Sequence, residues 1–96
     1  MARFVVLVQF TDKGVTAVKD SPTRAAQFKA LATKRGVDVE AHYWLLGQYD
    51  GLLVLSAPAE ETITALVLHL ASIGFVRTCL CRAYDESEFQ AILGKI

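Results

Sequence analysis

Two histidines, two cysteines at C-x-C spacing and one Gly-x-Tyr-Asp run are the chemically capable features of this 96-residue chain. The run Gly47-Gln48-Tyr49-Asp50-Gly51 has the glycine and Asp-Gly content of a tight turn. It equally suits a pocket mouth, where the Tyr49 phenol donates a hydrogen bond and the Asp50 carboxylate takes a proton from a bound molecule. His42 titrates near neutrality when unperturbed, at about 6.5, so it is a second candidate for proton transfer. Arg82, if enclosed, requires a carboxylate partner, an anionic ligand or water, because an isolated interior charge is expensive. His42 and Asp50 are therefore the candidate catalytic groups. Gln9, His42, Trp44, Tyr49, Thr78 and Arg82 are the candidate ligand-binding groups.

Cys79 and Cys81 lie two apart in one extended segment and share a side, where a disulfide is strained. Metal binding needs further soft ligands, and His42 and His69 fall on other elements without metal-site spacing, so no metal site is expected. The two thiols are expected to be reduced and buried on the helix-covered side of a sheet. Arg24 and Lys29, with Glu60 and Glu61, read as solvated helix faces. The chain contains no phosphate-cradling glycine loop, dinucleotide fingerprint or nucleophile elbow, which sets those enzyme classes aside.

These residues are carried by elements with clear periodicity. Arg3 to Phe10 is β-branched and aromatic, apolar on both alternate faces, and suits a central strand. Thr11 to Gly14 breaks it, Ser21-Pro22 opens a helix, and Ala25, Phe28, Leu31 and Ala32 form its apolar face up to Gly36. From Val37 the period becomes two, which predicts a strand with His42 and Trp44 on the face opposite Val39 and Tyr43. The Gly47–Gly51 turn then leads into Leu52–Ser56, predicting an antiparallel hairpin. After Pro58, acidic Glu60 and Glu61 mark a helix N-terminus, and Ile63, Leu66, Val67, Leu70 and Ile73 trace one stripe as far as Gly74. Phe75 to Tyr84 reads as a fourth strand. Asp85 then caps a short helix bearing Phe89, Ile92 and Leu93.

The order β-α-β-β-α-β plus a short C-terminal helix predicts an α+β, ferredoxin-like protomer with a four-stranded antiparallel sheet, as a single domain over residues 1–96. Right-handed crossovers place both main helices on one sheet face and leave the other bare. Composition agrees with a second copy covering that face: 53% of residues are hydrophobic, more than so small a chain can hide by itself. Ten basic against ten acidic residues leave no net charge to hold a nucleic-acid backbone or an anionic membrane surface. No apolar run approaches the roughly 20 residues of a membrane span, no leader is evident, and the cysteine usage suits a reducing, cytoplasmic setting.

The stretch Tyr43-Trp44-Leu45-Leu46-Gly47-Gln48-Tyr49-Asp50, continued by Leu53 to Pro58, resembles the signature of the GYD-domain family. Phe10 to Gly14, Ser21-Pro22 with Arg24, Gly74 to Thr78 and Arg82 to Tyr84 extend the likeness over most of the chain. Leu80 and His42 depart from it, where a threonine and an aromatic residue are usual. The resemblance implies a dimeric α+β barrel, a superfamily that includes cofactor-free oxygenases, isomerases, haem enzymes and ligand-binding regulators, and it implies no particular activity.

The expected function is a homodimeric module that binds a small organic ligand with an acidic group, without a cofactor, inside a barrel lined by Gln9, His42, Trp44, Thr78 and Arg82. The alternatives are a cofactor-independent isomerase or oxygenase in the same interior, and an oligomer-forming structural protein without a ligand. No nucleic acid or membrane partner is expected.

Overall fold

The computed structural model describes all 96 residues, Met1–Ile96. Strands β1 (Ala2–Phe10), β2 (Asp38–Trp44), β3 (Gly51–Ala57) and β4 (Val76–Ala83) form one antiparallel sheet in the order β2-β3-β1-β4. Helices α1 (Asp12–Thr16), α2 (Ser21–Lys34), α3 (Glu60–Ile73) and α4 (Glu86–Leu93) complete the chain. This is the ferredoxin-like α+β arrangement that the order of periodic segments predicts.

Only one face of the sheet is covered. The even-numbered residues Ala2, Phe4, Val6 and Val8 of β1 are buried, together with Leu53, Leu55 and Ala57 of β3. They share one core with Phe28 and Ala32 of α2 and Ile63, Leu66 and Val67 of α3. At about 25 cal/mol per Å² of apolar surface, this shared layer is the main stabilising contribution. The odd-numbered Val5 and Leu7, with Leu52 and Val54 opposite them, stay half-buried on the open face.

The helix ends follow local chemistry. Gly74 closes α3 with a φ of 96°, a left-handed conformation that glycine adopts without a Cβ clash. Asp85 caps α4 by accepting from the Glu88 backbone N–H at 2.8 Å, while Glu88 Oε1 accepts from the Asp85 N–H at 3.0 Å. Two features go beyond the sequence reading. Thr11 to Gly14 forms the start of α1, whose first turn is capped by the Thr11 hydroxyl accepting from Gly14 N–H. Ser21 is itself helical, and Asp20 before it makes no side-chain cap bond.

A one-residue bulge changes the parity of β2. Asp38 and Val39 pair with Ser56 and Leu55, but Ala41 pairs with Val54, leaving Glu40 as the extra residue. The Glu40 carboxylate accepts from Arg3 Nε at 3.1 and 3.2 Å on the open face. The Ser56 hydroxyl and the Arg3 guanidinium together hold the Glu40 carboxyl below the usual carboxylate range. From Ala41 onwards every side chain is on the opposite face from that predicted by unbroken alternation. No helix is long and apolar enough to cross a membrane.

Candidate functional site

The bulge turns His42 and Trp44 to the helix side, opposite Leu53 and Gly51. There they line a cavity of about 520 Å³ between the sheet, α2 and the end of α3. Its walls include Val8 and Phe10 of β1, Phe28 and Leu31 of α2, Leu53 of β3, Leu70 and Ile73 of α3, and Phe75. Polar groups enter this apolar shell at Asp20, Ser21, Arg24, Gln27, Lys29, His42, Asp50 and His69. A concave apolar cavity of a few hundred Å³ with a few converging polar groups is the usual form of a small-molecule site.

Arg24 is the most constrained of them. Its guanidinium carbon lies 4.2 Å from the centre of the Phe75 ring, and Nη1 donates to the Ala17 carbonyl at 3.0 Å. Nη2 is shielded from water and has no hydrogen-bond partner. The Phe75 ring is held by Lys13 as well, whose Nζ stands 4.4 Å from its centre. Beneath it, Gly14 packs against the Phe75 carbonyl so closely that a Cβ there could not be accommodated. Thr11 N–H donates to the same carbonyl at 3.1 Å. A short segment of α1 thus sets the Phe75 ring, and the ring sets Arg24.

His42 is the second unpartnered group. Its Nδ1 is buried without a hydrogen bond, and its ring centre lies 4.3 Å from that of Trp44. Burial lowers its pKa from the ordinary value of 6.5, and the nearby Lys29 charge lowers it further. The imidazole is accordingly neutral at pH 7 and able to accept a proton.

Asp50 lines the cavity but already holds structure together. Its Oδ2 accepts from Phe10 N–H at 2.8 Å, its own N–H donates to Val8 O at 2.8 Å, and its carbonyl accepts from Leu45 N–H at 2.8 Å. These bonds fasten the β2–β3 loop to the end of β1, which is the turn reading of the Gly-x-Tyr-Asp run. Gln9 does similar work on the open face, donating from Nε2 to Gln48 O at 3.0 Å.

The remaining sequence-predicted groups are elsewhere. In β4 the register pairs Phe4 with Arg82 and Val8 with Thr78, so both point to the helix side and not to the bare face. Arg82 is engaged within the chain: Nε donates to Glu60 Oε1 at 3.0 Å, Nη2 approaches Glu88 Oε2 at 3.9 Å, and Nη1 donates to Arg3 O at 3.1 Å and to the Ala83 carbonyl. It ties β4 to the starts of α3 and α4. Thr78 borders a separate shallow hollow with Thr11, Ala71 and Gly74, and Tyr49 lines neither depression. The structure therefore brings together His42, Trp44 and Asp50, and separates Gln9, Tyr49, Thr78 and Arg82 from them. The interior expected between two sheets contains one of its five named residues, Gln9.

Arg24 and Lys29, read from sequence as solvated, are in the cavity wall. A signal was present for Arg24: a cation near the start of a helix opposes the helix dipole and needs another reason to be there.

Residues 4–93 match the family described as the GYD domain. The chain belongs to the GYD-domain family. This GYD domain is 35% identical over 94 residues to the "Glutamine synthetase and cystathionine beta-lyase binding protein" of Thermus thermophilus, an alignment covering 97% of this chain and 99% of that protein. No solved structure matches. In this GYD domain Asp50 fastens the β2–β3 loop, which also contains Gly47 and Tyr49, to the end of β1.

Proposed function

We propose that this GYD domain is a homodimeric binding module that holds a compact organic ligand with an acidic group between its sheet and its helices. The observation that carries the reading is the pair of unpartnered buried atoms, Arg24 Nη2 and His42 Nδ1, both on residues that line one 520 Å³ cavity. A buried donor left unsatisfied costs about 1–3 kcal/mol, and a ligand carboxylate accepting from Arg24 recovers that cost. Lys29 adds a second positive charge to the wall, while Phe28, Leu53, Leu70 and Phe75 provide contact area for an apolar body. Neutral His42 can donate a ring N–H to a carboxylate in the same cavity; recovery of the ligand chemically unchanged distinguishes binding from the isomerase or oxygenase alternative.

The test uses benzoate as an acidic aromatic probe and benzyl alcohol as its neutral counterpart, followed by NMR of the backbone amides. Benzoate is expected to shift resonances of α2, His42 and Phe75, with the effect lost in Arg24→Gln and weak for benzyl alcohol. Equal responses to both probes, or an unchanged response in Arg24→Gln, overturn the reading. Pairing of two copies is supported by the half-buried Val5, Leu7, Leu52 and Val54 on a sheet face that no helix covers. Sedimentation showing only a 10.5 kDa species at micromolar concentration overturns that part.

A second reading, capture of a metabolic enzyme, is favoured by the name of the Thermus relative. On this reading the chain docks on a larger enzyme, and glutamine synthetase from the same source is the first partner to try. Co-elution of the two purified proteins in size-exclusion chromatography is expected. Separate elution at micromolar concentrations of both overturns it.

A further inference from the structure

The register of β4 places Cys79 and Cys81 opposite Leu7 and Val5, on the open face of the sheet, and both thiols are exposed. This reverses the expectation that they are buried beneath the helices. Their sulfur atoms are 3.9 Å apart. The thiols stand on an edge strand, since β4 pairs with β1 alone.

We propose that Cys79 and Cys81 form a two-thiolate binding site for Cu(I). The argument is one of ligand type, spacing and number. Thiolates are soft donors that select Cu(I) over hard cations. With metal–sulfur bonds of about 2.3 Å, a sulfur separation of 3.9 Å corresponds to an S–metal–S angle of about 115–120°. That is the angle of a trigonal centre with two protein ligands and a third position open to a small solution thiol. Zinc, which takes four ligands in structural sites, is poorly served, because no group of three or more His, Cys, Asp or Glu side chains comes together in the chain. An internal disulfide competes badly: same-face neighbours on a strand lie about 6.4–6.8 Å apart at Cα, at the upper limit of disulfide reach.

Binding is a ligand exchange without redox change. Both S–H bonds break and two protons leave to solvent, the bonds from copper to the chelator's nitrogens break as two Cu–S bonds form, and copper remains monovalent. The product carries one net negative charge. Arg77, two residues before Cys79 on the same face and in no salt bridge, offsets it. Leu7 and Val5 provide an apolar floor. The site requires neither the helix-side cavity nor its ligand; it shares Val5 and Leu7 with the face proposed to pair two copies, so copper loading and pairing compete for that face.

The test is an anaerobic titration of the reduced, full-length protein with Cu(I), using bicinchoninate as the competing chelator. One equivalent of copper per chain is expected to leave the chelator, and X-ray absorption is expected to show two or three sulfur neighbours. Cys79→Ser and Cys81→Ser, exposed substitutions whose folding is checked by circular dichroism, should each weaken binding by at least tenfold. Alkylation with N-ethylmaleimide should abolish it without any mutation, and Arg77→Gln should weaken it by a smaller factor. Failure to withdraw copper, unchanged binding in Cys79→Ser, or four sulfur neighbours shared between two chains overturns the proposal, as does equal retention of Zn(II) under the same competition.

Discussion

On the helix-covered face of the sheet Phe4, Val6, Leu53 and Leu55 are sealed from water, while on the reverse face Val5, Leu7, Leu52 and Val54 remain half-buried. Along the middle of β1 and β3 both faces are apolar, but the covered face is apolar throughout while the open face also carries Arg3, Gln9 and Ser56. Their polar groups differ in the opposite sense. The open face satisfies its own: Arg3 pairs with Glu40 and Gln9 donates to the Gln48 carbonyl. The covered face holds Arg24 Nη2 and His42 Nδ1 without partners. Unspent apolar area favours association with another surface, and unspent hydrogen-bonding capacity favours a ligand. The two faces are therefore suited to different partners.

The strongest challenge to this contrast is a pair of neighbouring truncations on β3. Leu55→Ala removes a side chain with 0% exposure from the core and is expected to lose about 2–5 kcal/mol in chemical denaturation. Val54→Ala, one residue along and on the open face, should lose less than about 1 kcal/mol at protein concentrations low enough to keep the chain alone. A Val54 loss that grows with protein concentration shows a second copy on that face. A concentration-independent Val54 loss as large as that at Leu55 breaks the contrast outright.

Next in size is Gly14→Ala. The added methyl group meets the Phe75 carbonyl, so α1 or the α3–β4 connection must shift. Overpacking of this kind costs about 1–3 kcal/mol. The more telling consequence is local: Phe75 carries Arg24, so benzoate-induced NMR shifts should shrink even in the fraction that remains folded. Unaltered benzoate shifts together with a lost 1–3 kcal/mol would separate the glycine from the cavity.

Much of the architecture is legible in the sequence, because β1 and α3 have strong, unambiguous periods and the order of segments leaves few topologies. The faces of β2 were not legible. Alternation from Val37 to Leu46 is regular in sequence, and nothing in Val39-Glu40-Ala41 marks an inserted residue; the partner of the bulged Glu40 is Arg3, 37 residues away. The faces of β4 were misread for another reason. Val76, Thr78 and Leu80 face the core, but the intervening cysteines belong to a residue type commonly buried, so residue type does not mark which parity of β4 is covered. Arg82 then completes the confusion: a cation on the covered side is tolerable only because the strand is at the sheet edge, where Glu60 and Glu88 reach it.

The smallest effect concerns pH and tests whether the covered face truly desolvates its polar groups. His42 has a folded-state pKa below its ordinary 6.5, chiefly through burial. The folded protein therefore binds fewer protons than the unfolded chain once the pH drops below 6.5, and the unfolded chain gains relative stability. Stability should be unaffected by this residue above that pH, decline as the pH falls through the folded-state pKa, and level off below it. His42→Phe should flatten that segment of the curve while leaving the acid limb due to carboxylates. Because Lys29 contributes to the lowered pKa, Lys29→Gln should move the decline to lower stability loss without removing it. A bound carboxylate acts in the reverse direction, since it favours imidazolium, so saturating benzoate should raise the His42 pKa measured by NMR. A ring that titrates near 6.5 with or without benzoate would place His42 in contact with water and remove it from the site.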